Sequence, residues 1–238
     1  MRLFLKILGA IVAVILLIPL ALLAWVYFYT GSLPDVTALQ AFVPSERTQA
    51  ALPYCESSVS STAIPAYEMA RFRDALIAAE GDPKDMAALR DTVRTFVIEE
   101  HPRPRAQYSA RLASQLNCPG SRLIEHQIKR VRTAIQIERR FKADDILTIY
   151  ANSVYFGNET YGIENASQRY FKKKALQLSI VEDAFLAGLI QSPSRFLKSR
   201  ERAIERRNGV LDRMAALQMI SAAEAEKAKG QPLELQNQ

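Results

Sequence analysis

Residues 7–29 form the longest uninterrupted apolar stretch of the chain, ILGAIVAVILLIPLALLAWVYFY, and its 23 positions carry no charge. A helix of that length crosses roughly 30 Å of hydrocarbon, so this run predicts a transmembrane span. The pattern then breaks. Residues 31–65 are rich in Ser and Pro and hold little sustained period, which predicts an irregular connection with one short helix near residues 36–41. From residue 66 onward apolar positions recur at helical spacing. A helix is expected over 66–80, with Gly81 at the position that ends helices, and another over 85–100, with Leu89, Val93, Phe96 and Val97 on one face. Two prolines in HPRPR interrupt the chain before a short helix over 107–117, which Pro119-Gly120 ends.

The longest soluble helix is expected over 122–141, with Ile124, Ile128, Val131, Ile135 and Phe141 lining one face. Asp144 is placed to cap the helix DDILTIYAN. The pairs Ser179/Glu182 and Ser221/Glu224 have the spacing of capping boxes, and Gly230 can stop the last helix. Strand signals are nearly absent and no internal repeat is visible. The pattern divides the chain into a cytoplasmic tip and anchor over 1–30, a juxtamembrane linker over 31–65 and a mainly α domain over 66–232.

Charge orients this arrangement. Arg2 and Lys6 precede the apolar run and the next basic residue is Arg47, which places the N-terminus in the cytoplasm and the helical domain on the far side of the membrane. Trp25, Tyr27, Phe28 and Tyr29 cluster at the distal end of the run, as an interfacial aromatic belt does. A cleaved signal peptide is the alternative, but the run is long for one and no A-x-A site follows it. Hydrophobic content of 49% suffices for a core, and a net charge of +6 favours anionic partners: nucleic acid, a membrane surface or a diphosphate substrate. An exported domain leaves nucleic acid out. The two cysteines, Cys55 and Cys118, stand on the exported side. They either remain thiols or close a loop of about 60 residues, worth ~4 kcal/mol on a chain-entropy account.

The stretch 131–193 contains A-x-x-x-E, D-x-I-L-x-x-Y-x-N, Y-F-G, Y-G-I, A-x-x-x-Y-F and L-S-x-x-E-x-A-x-L-A-G-L in order. This succession resembles the third and later motifs of glycosyltransferase family 51, the peptidoglycan glycosyltransferases that polymerise lipid II, and RRNGVLDRM resembles the family's fifth motif. The resemblance implies a lysozyme-like helical glycosyltransferase domain behind its N-terminal transmembrane helix. It also implies lipid II and nascent glycan as substrates, an inner-membrane location with the domain in the periplasm, and penicillin-binding or other cell-wall synthesis proteins as partners. The chain ends soon after the fifth motif, so no transpeptidase domain is expected.

By the same resemblance, Glu80 falls on the general base that deprotonates the acceptor sugar's 4-hydroxyl. A carboxylate at a helix C-terminus meets the negative end of the dipole, which opposes ionisation and raises its pKa. Arg111, Gln115, Lys129, Arg130, Arg132 and Asn152 are the substrate-binding candidates, with the basic residues facing the lipid diphosphate. The first two motifs depart from the family. Glu80-Gly81-Asp82-Pro83-Lys84 lacks the expected aromatic and histidine, and His101 stands too far along to replace it. In SARLASQLN only Gln115 and Leu116 keep their places, although Arg111 can substitute for a missing phosphate-binding lysine. Counting back from Glu138, His126, Gln127 and Arg130 occupy the start of the third motif, so Arg130 replaces a second glutamate thought to act near the diphosphate or a metal. No metal ligand set is visible, and the only cofactor the resemblance admits is a divalent metal on the lipid diphosphate. Three readings stand: a polymerase relying on Glu80 alone, a catalytically impaired relative that binds lipid II, glycan or a synthase, and a lytic enzyme.

Overall fold

Two apolar helices form the interior against which the remaining elements pack. Ala143–Ser153 buries every side chain from Ile146 to Ser153, and Ile180–Leu189 buries all of its side chains except Ile180 and Glu182. A helix that is apolar nearly all round is stable only when surrounded.

The computed structural model describes residues 17–21, 24, 33–54, 57–80, 104–117 and 123–236. In chain order, a 3-10 helix (Val36–Phe42) leads to strands β1 (Thr48–Tyr54) and β2 (Ser57–Ala63), and a second 3-10 turn (Ala66–Met69) leads to α1 (Ala70–Glu80). Then follow α2 (Pro104–Leu116), α3 (Leu123–Arg140), α4 (Ala143–Ser153), α5 (Ile163–Phe171), α6 (Ile180–Leu189), α7 (Pro193–Leu197), α8 (Arg200–Ala216) and α9 (Ala222–Lys229). The strands pair antiparallel from Thr48↔Ala63 to Tyr54↔Ser57. Helix α6 packs on α1 and α8, α8 also packs on α1 and α9, and α2 packs on α3 and α4.

The expected helix over 85–100, both cysteines and nearly all of the apolar run 7–29 lie outside the described residues. Leu17–Ala21 is helical, and among the described residues no helix is long and apolar enough to cross a membrane. The capping boxes hold: Ser179 and Glu182 exchange bonds, as do Ser221 and Glu224.

Three local expectations change. The segment 31–65 carries a hairpin rather than irregular chain. Its strands are built from small and hydroxyl residues with little alternation, and their pairing, such as Gln49 Nε2 donating to Thr62 Oγ1 at 2.8 Å, exists only across the turn. Val131 is 53% exposed, because α3 turns the Thr133, Ile137 and Phe141 stripe inward. Helix α4 starts at Ala143 and is capped by Lys142 rather than Asp144. Asp145 accepts from the Lys142 amide at 3.4 Å, while Asp144 pairs with Arg73.

Asn152 was a candidate for binding substrate, but it is completely buried and fully used inside the protein. Its Oδ1 accepts from the Ile64 amide at 3.0 Å, and its Nδ2 donates to the carbonyls of Ile64 and Phe42 at 2.9 and 3.1 Å. These bonds tie the hairpin segment to the central helix. Beside them, Ser61 Oγ donates to the Asn152 carbonyl at 2.6 Å. The chain passes so close there that a Cβ on Gly162 (φ +79) would fall 2.1 Å from Ser61 Oγ and 2.5 Å from the Asn152 oxygen, so only glycine fits.

Other buried charges are paired in the same way. Arg47 bridges Glu68 and Glu164, and the Arg207 guanidinium caps the C-terminal end of α9 through the carbonyls of Lys229 and Gln231, each at 2.9 Å. Helix α6 is pinned to α1 by Asp183, whose carboxylate receives Arg71 Nε at 2.6 Å. Burial nonetheless pushes Asp183 up to about 7, outweighing the half-exposed arginine.

Asn152→Ala would strand one buried amide and two buried carbonyls, and urea unfolding should show a loss of about 3 kcal/mol. Because the folded pKa of Asp183 exceeds its unfolded value of 3.8, folding favours the protonated acid. Stability should therefore fall as pH rises from about 4 to about 7 and level off above, and Asp183→Asn should remove that slope in melts across the range.

Candidate functional site

Glu80 is the last residue of α1. One turn earlier, the Leu76 carbonyl accepts from the Tyr108 hydroxyl of α2 at 3.4 Å, which links the two helices at one point. Tyr108 in turn packs its ring 5.1 Å from that of Tyr150 on the central helix, and both tyrosines are buried. This aromatic pair joins α2, which carries two other candidates, to the central helix α4, while the Tyr108 hydroxyl reaches α1.

Those two, Arg111 and Gln115, are four residues apart and so share one face of α2. Arg111 is half-buried, with Nη1 donating to the Tyr150 hydroxyl at 3.1 Å. Gln115 is also half-buried, but its Oε1 is buried and accepts no hydrogen bond. A buried acceptor left open costs about 1–3 kcal/mol, so such an atom is a place where a ligand's donor gains disproportionately.

Helix α3 runs antiparallel to α2 in a register fixed at two points. Asn117 Nδ2 donates to Thr133 Oγ1 at 3.1 Å, and the fully buried Ser109 donates from Oγ to the Glu138 carboxylate. That register puts Lys129 and Arg130 beyond the level of Asn117, toward the connection between the helices, and away from Arg111. Lys129, Arg130 and Arg132 are all half-buried rather than fully solvated. Lys129 and Arg132 have partners of their own. Arg130 Nη1 donates to Gln127 Oε1 at 3.1 Å, while its Nε is buried without a hydrogen bond. The candidate cations thus lie along the α2–α3 pair instead of converging on one point.

Sequence reasoning missed Tyr108, Tyr150, Arg206 and Arg213. The tyrosines lay inside recognised segments, but their role depends on pairing between helices distant in the chain. Arg206 Nη2 donates to the Ala79 carbonyl at 2.6 Å, and Arg213 Nη1 to that of Ala78 at 3.5 Å, so α8 closes over the end of α1. The groups with large pKa shifts belong to the scaffold. Besides Asp183, burial raises Tyr170 to about 12, and its hydroxyl donates to the Phe156 carbonyl at 2.9 Å. Among the described residues no three His, Cys, Asp or Glu side chains come together as a metal site. A cleft of about 510 Å³ lined by Arg71, Asp74, Met214, Met219 and Lys227 contains none of the candidate residues.

The profile of the family described as Transglycosylase matches residues 106–215, which span α2 to α8. Penicillin-binding protein 1A of Pseudomonas aeruginosa is 40% identical over 114 residues, covering 47% of this chain and 14% of that protein. Penicillin-binding protein 1A of Aquifex aeolicus is 40% identical over 124 residues, 51% of this chain and 17% of that protein. The match therefore spans less than a fifth of either relative. A crystal structure of penicillin-binding protein 1A from Haemophilus influenzae, 30% identical, aligns with 57% of this chain and 17% of its own at a TM-score of 0.36, too slight a likeness to bear on the fold. Residues 106–215, mainly helical, thus match a transglycosylase domain, in agreement with the resemblance of the chain's motifs to glycosyltransferase family 51.

Proposed function

We propose that this chain is a membrane-anchored peptidoglycan glycosyltransferase that joins lipid II units, with Glu80 as its general base. The observation that carries the reading is the link from α1 to α2. The helix that ends at Glu80 is linked at Leu76, through the Tyr108 hydroxyl, to the helix that carries Arg111 and the open acceptor of Gln115.

In this mechanism the lysozyme-like groove runs along α2 and α3. Glu80 takes the proton of the acceptor's sugar 4-hydroxyl as that oxygen bonds to the anomeric carbon of the growing chain. The bond to the polyprenyl diphosphate breaks, with inversion at that carbon, and the leaving group departs as an anion. A positioned base of this kind contributes about 10²–10⁴ in rate. Negative charge along the donor and its leaving diphosphate is met at two levels of the α2–α3 pair, by Arg111 at one and by Lys129, Arg130 and Arg132 at the other, in partly buried positions where such interactions are strong. With no carboxylate at 130, these cations take the part that a metal and its ligands would otherwise play. Residues 7–29 hold the domain at the outer face of the inner membrane, where lipid II and other cell-wall synthesis proteins are within reach.

A second reading is that of a catalytically impaired relative that binds lipid II, glycan or a synthase. The observation favouring it is that Arg130 stands in place of an acidic residue and Arg111 is already engaged by Tyr150.

Full-length protein in detergent with labelled lipid II should produce glycan polymer, and Glu80→Gln should cut the rate by about 10²–10⁴. Lipid II binding without polymer would favour the second reading, and polymer unaffected by Glu80→Gln would remove Glu80 as the base. Gln115→Met removes the open acceptor without emptying its space. Urea unfolding should show equal or slightly higher stability, by up to about 1 kcal/mol, while KM for lipid II rises.

A further inference from the structure

The end of α1 is held by two side chains that stand 127 and 135 residues further along the chain. The last four carbonyls of a helix have no partner within it. Here the Ala79 carbonyl receives Arg206 Nη2 at 2.6 Å, and that of Ala78 receives Arg213 Nη1 at 3.5 Å. The two arginines are seven residues apart, two turns of α8, and so share the face that packs on α1.

Helix α6 takes part through an absence of side chain. A Cβ on Gly188 would lie 2.9 Å from Arg206 Cγ and 3.5 Å from Val210 Cγ2, so any larger residue there would push the arginine off its path to Ala79. Three helices therefore cooperate to bring charged donors to the turn that carries Glu80. A surface helix end needs no such arrangement, since water satisfies its carbonyls.

We propose that Arg206 and Arg213 are positioning residues for Glu80. They lock the last turn of α1 onto α8 and set positive charge at a helix end whose dipole otherwise disfavours a carboxylate. The inference rests on the reading of Glu80 as the base.

The test measures polymerisation of labelled lipid II by the full-length protein, with rates expressed per folded molecule from a thermal melt. Arg206→Met should lower kcat about tenfold to a hundredfold while KM stays within about twofold, the mark of a misplaced reacting group rather than lost substrate binding. Arg206→Lys, which returns a charged donor, should recover a large part of that loss. Arg213→Met, at the longer contact, should lose less. Arg207→Lys serves as control, because Arg207 caps α9: it should lower the melting temperature and leave kcat per folded molecule unchanged. The proposal is overturned if Arg206→Met keeps wild-type kcat while Glu80→Gln is inactive. Equal kcat losses for the Arg206 and Arg207 variants, with no rescue by lysine, would reduce it to ordinary stabilisation and overturn it too. Wild-type protein that makes no polymer overturns the reading of Glu80 and this inference together.

Discussion

A single buried carboxamide ties the two parts of the described chain together. Asn152 sits at the end of the central helix, spends all its polar capacity on Phe42 and Ile64, and thereby docks the segment from residue 36 to the hairpin onto the helical body. Apolar packing alone would hold that segment in many registers. Three directional bonds from one side chain in a dry site hold it in one, because sliding by a residue would strand all of them. The Ser61 bond to the Asn152 carbonyl and the bare Cα of Gly162 extend the same constraint to the turn before α5.

The interior is unusually dependent on charged and polar side chains for a body built of helices. Arg47, Arg71, Arg206 and Arg207 each reach across to a different element and end on carboxylates or carbonyls. The consequence is specificity of arrangement, since an unmatched buried charge costs far more than a misplaced methyl group. Long arginine stems bury their methylenes while the guanidinium meets several acceptors at once. The half-buried basic residues of α2 and α3 are restrained by partners in the same way, which under the proposed function reduces the ordering cost of binding an anion.

The candidate site is accordingly less a cluster than a line. Arg111 and Gln115 lie at one level of the α2–α3 pair, Lys129 and Arg130 at another, and Glu80 ends a third helix linked to α2 by the Tyr108 hydroxyl at the Leu76 carbonyl. A line of cations beside an open acceptor suits an extended substrate whose sugar and diphosphate lie apart, and suits a compact one poorly.

The sequence by itself determined the helical class, the boundaries set by local chemistry and the resemblance to a transglycosylase family. The capping boxes at Ser179 and Ser221, the end of α1 at Glu80 and the motifs from 131 to 193 are all legible because each depends on residues a few positions apart. Only the tertiary structure decided which face of α3 is buried, that the Ser-rich stretch before residue 65 pairs as strands, and that Asn152 is a structural fastener rather than a substrate ligand. It also brought Arg206 and Arg213 to the end of α1. The physical reason is common to all four. Each rests on pairing between separate elements, adjacent in the hairpin and far apart in the other three, and neither helical period nor motif spacing carries information about which partner a strand or a buried side chain will meet.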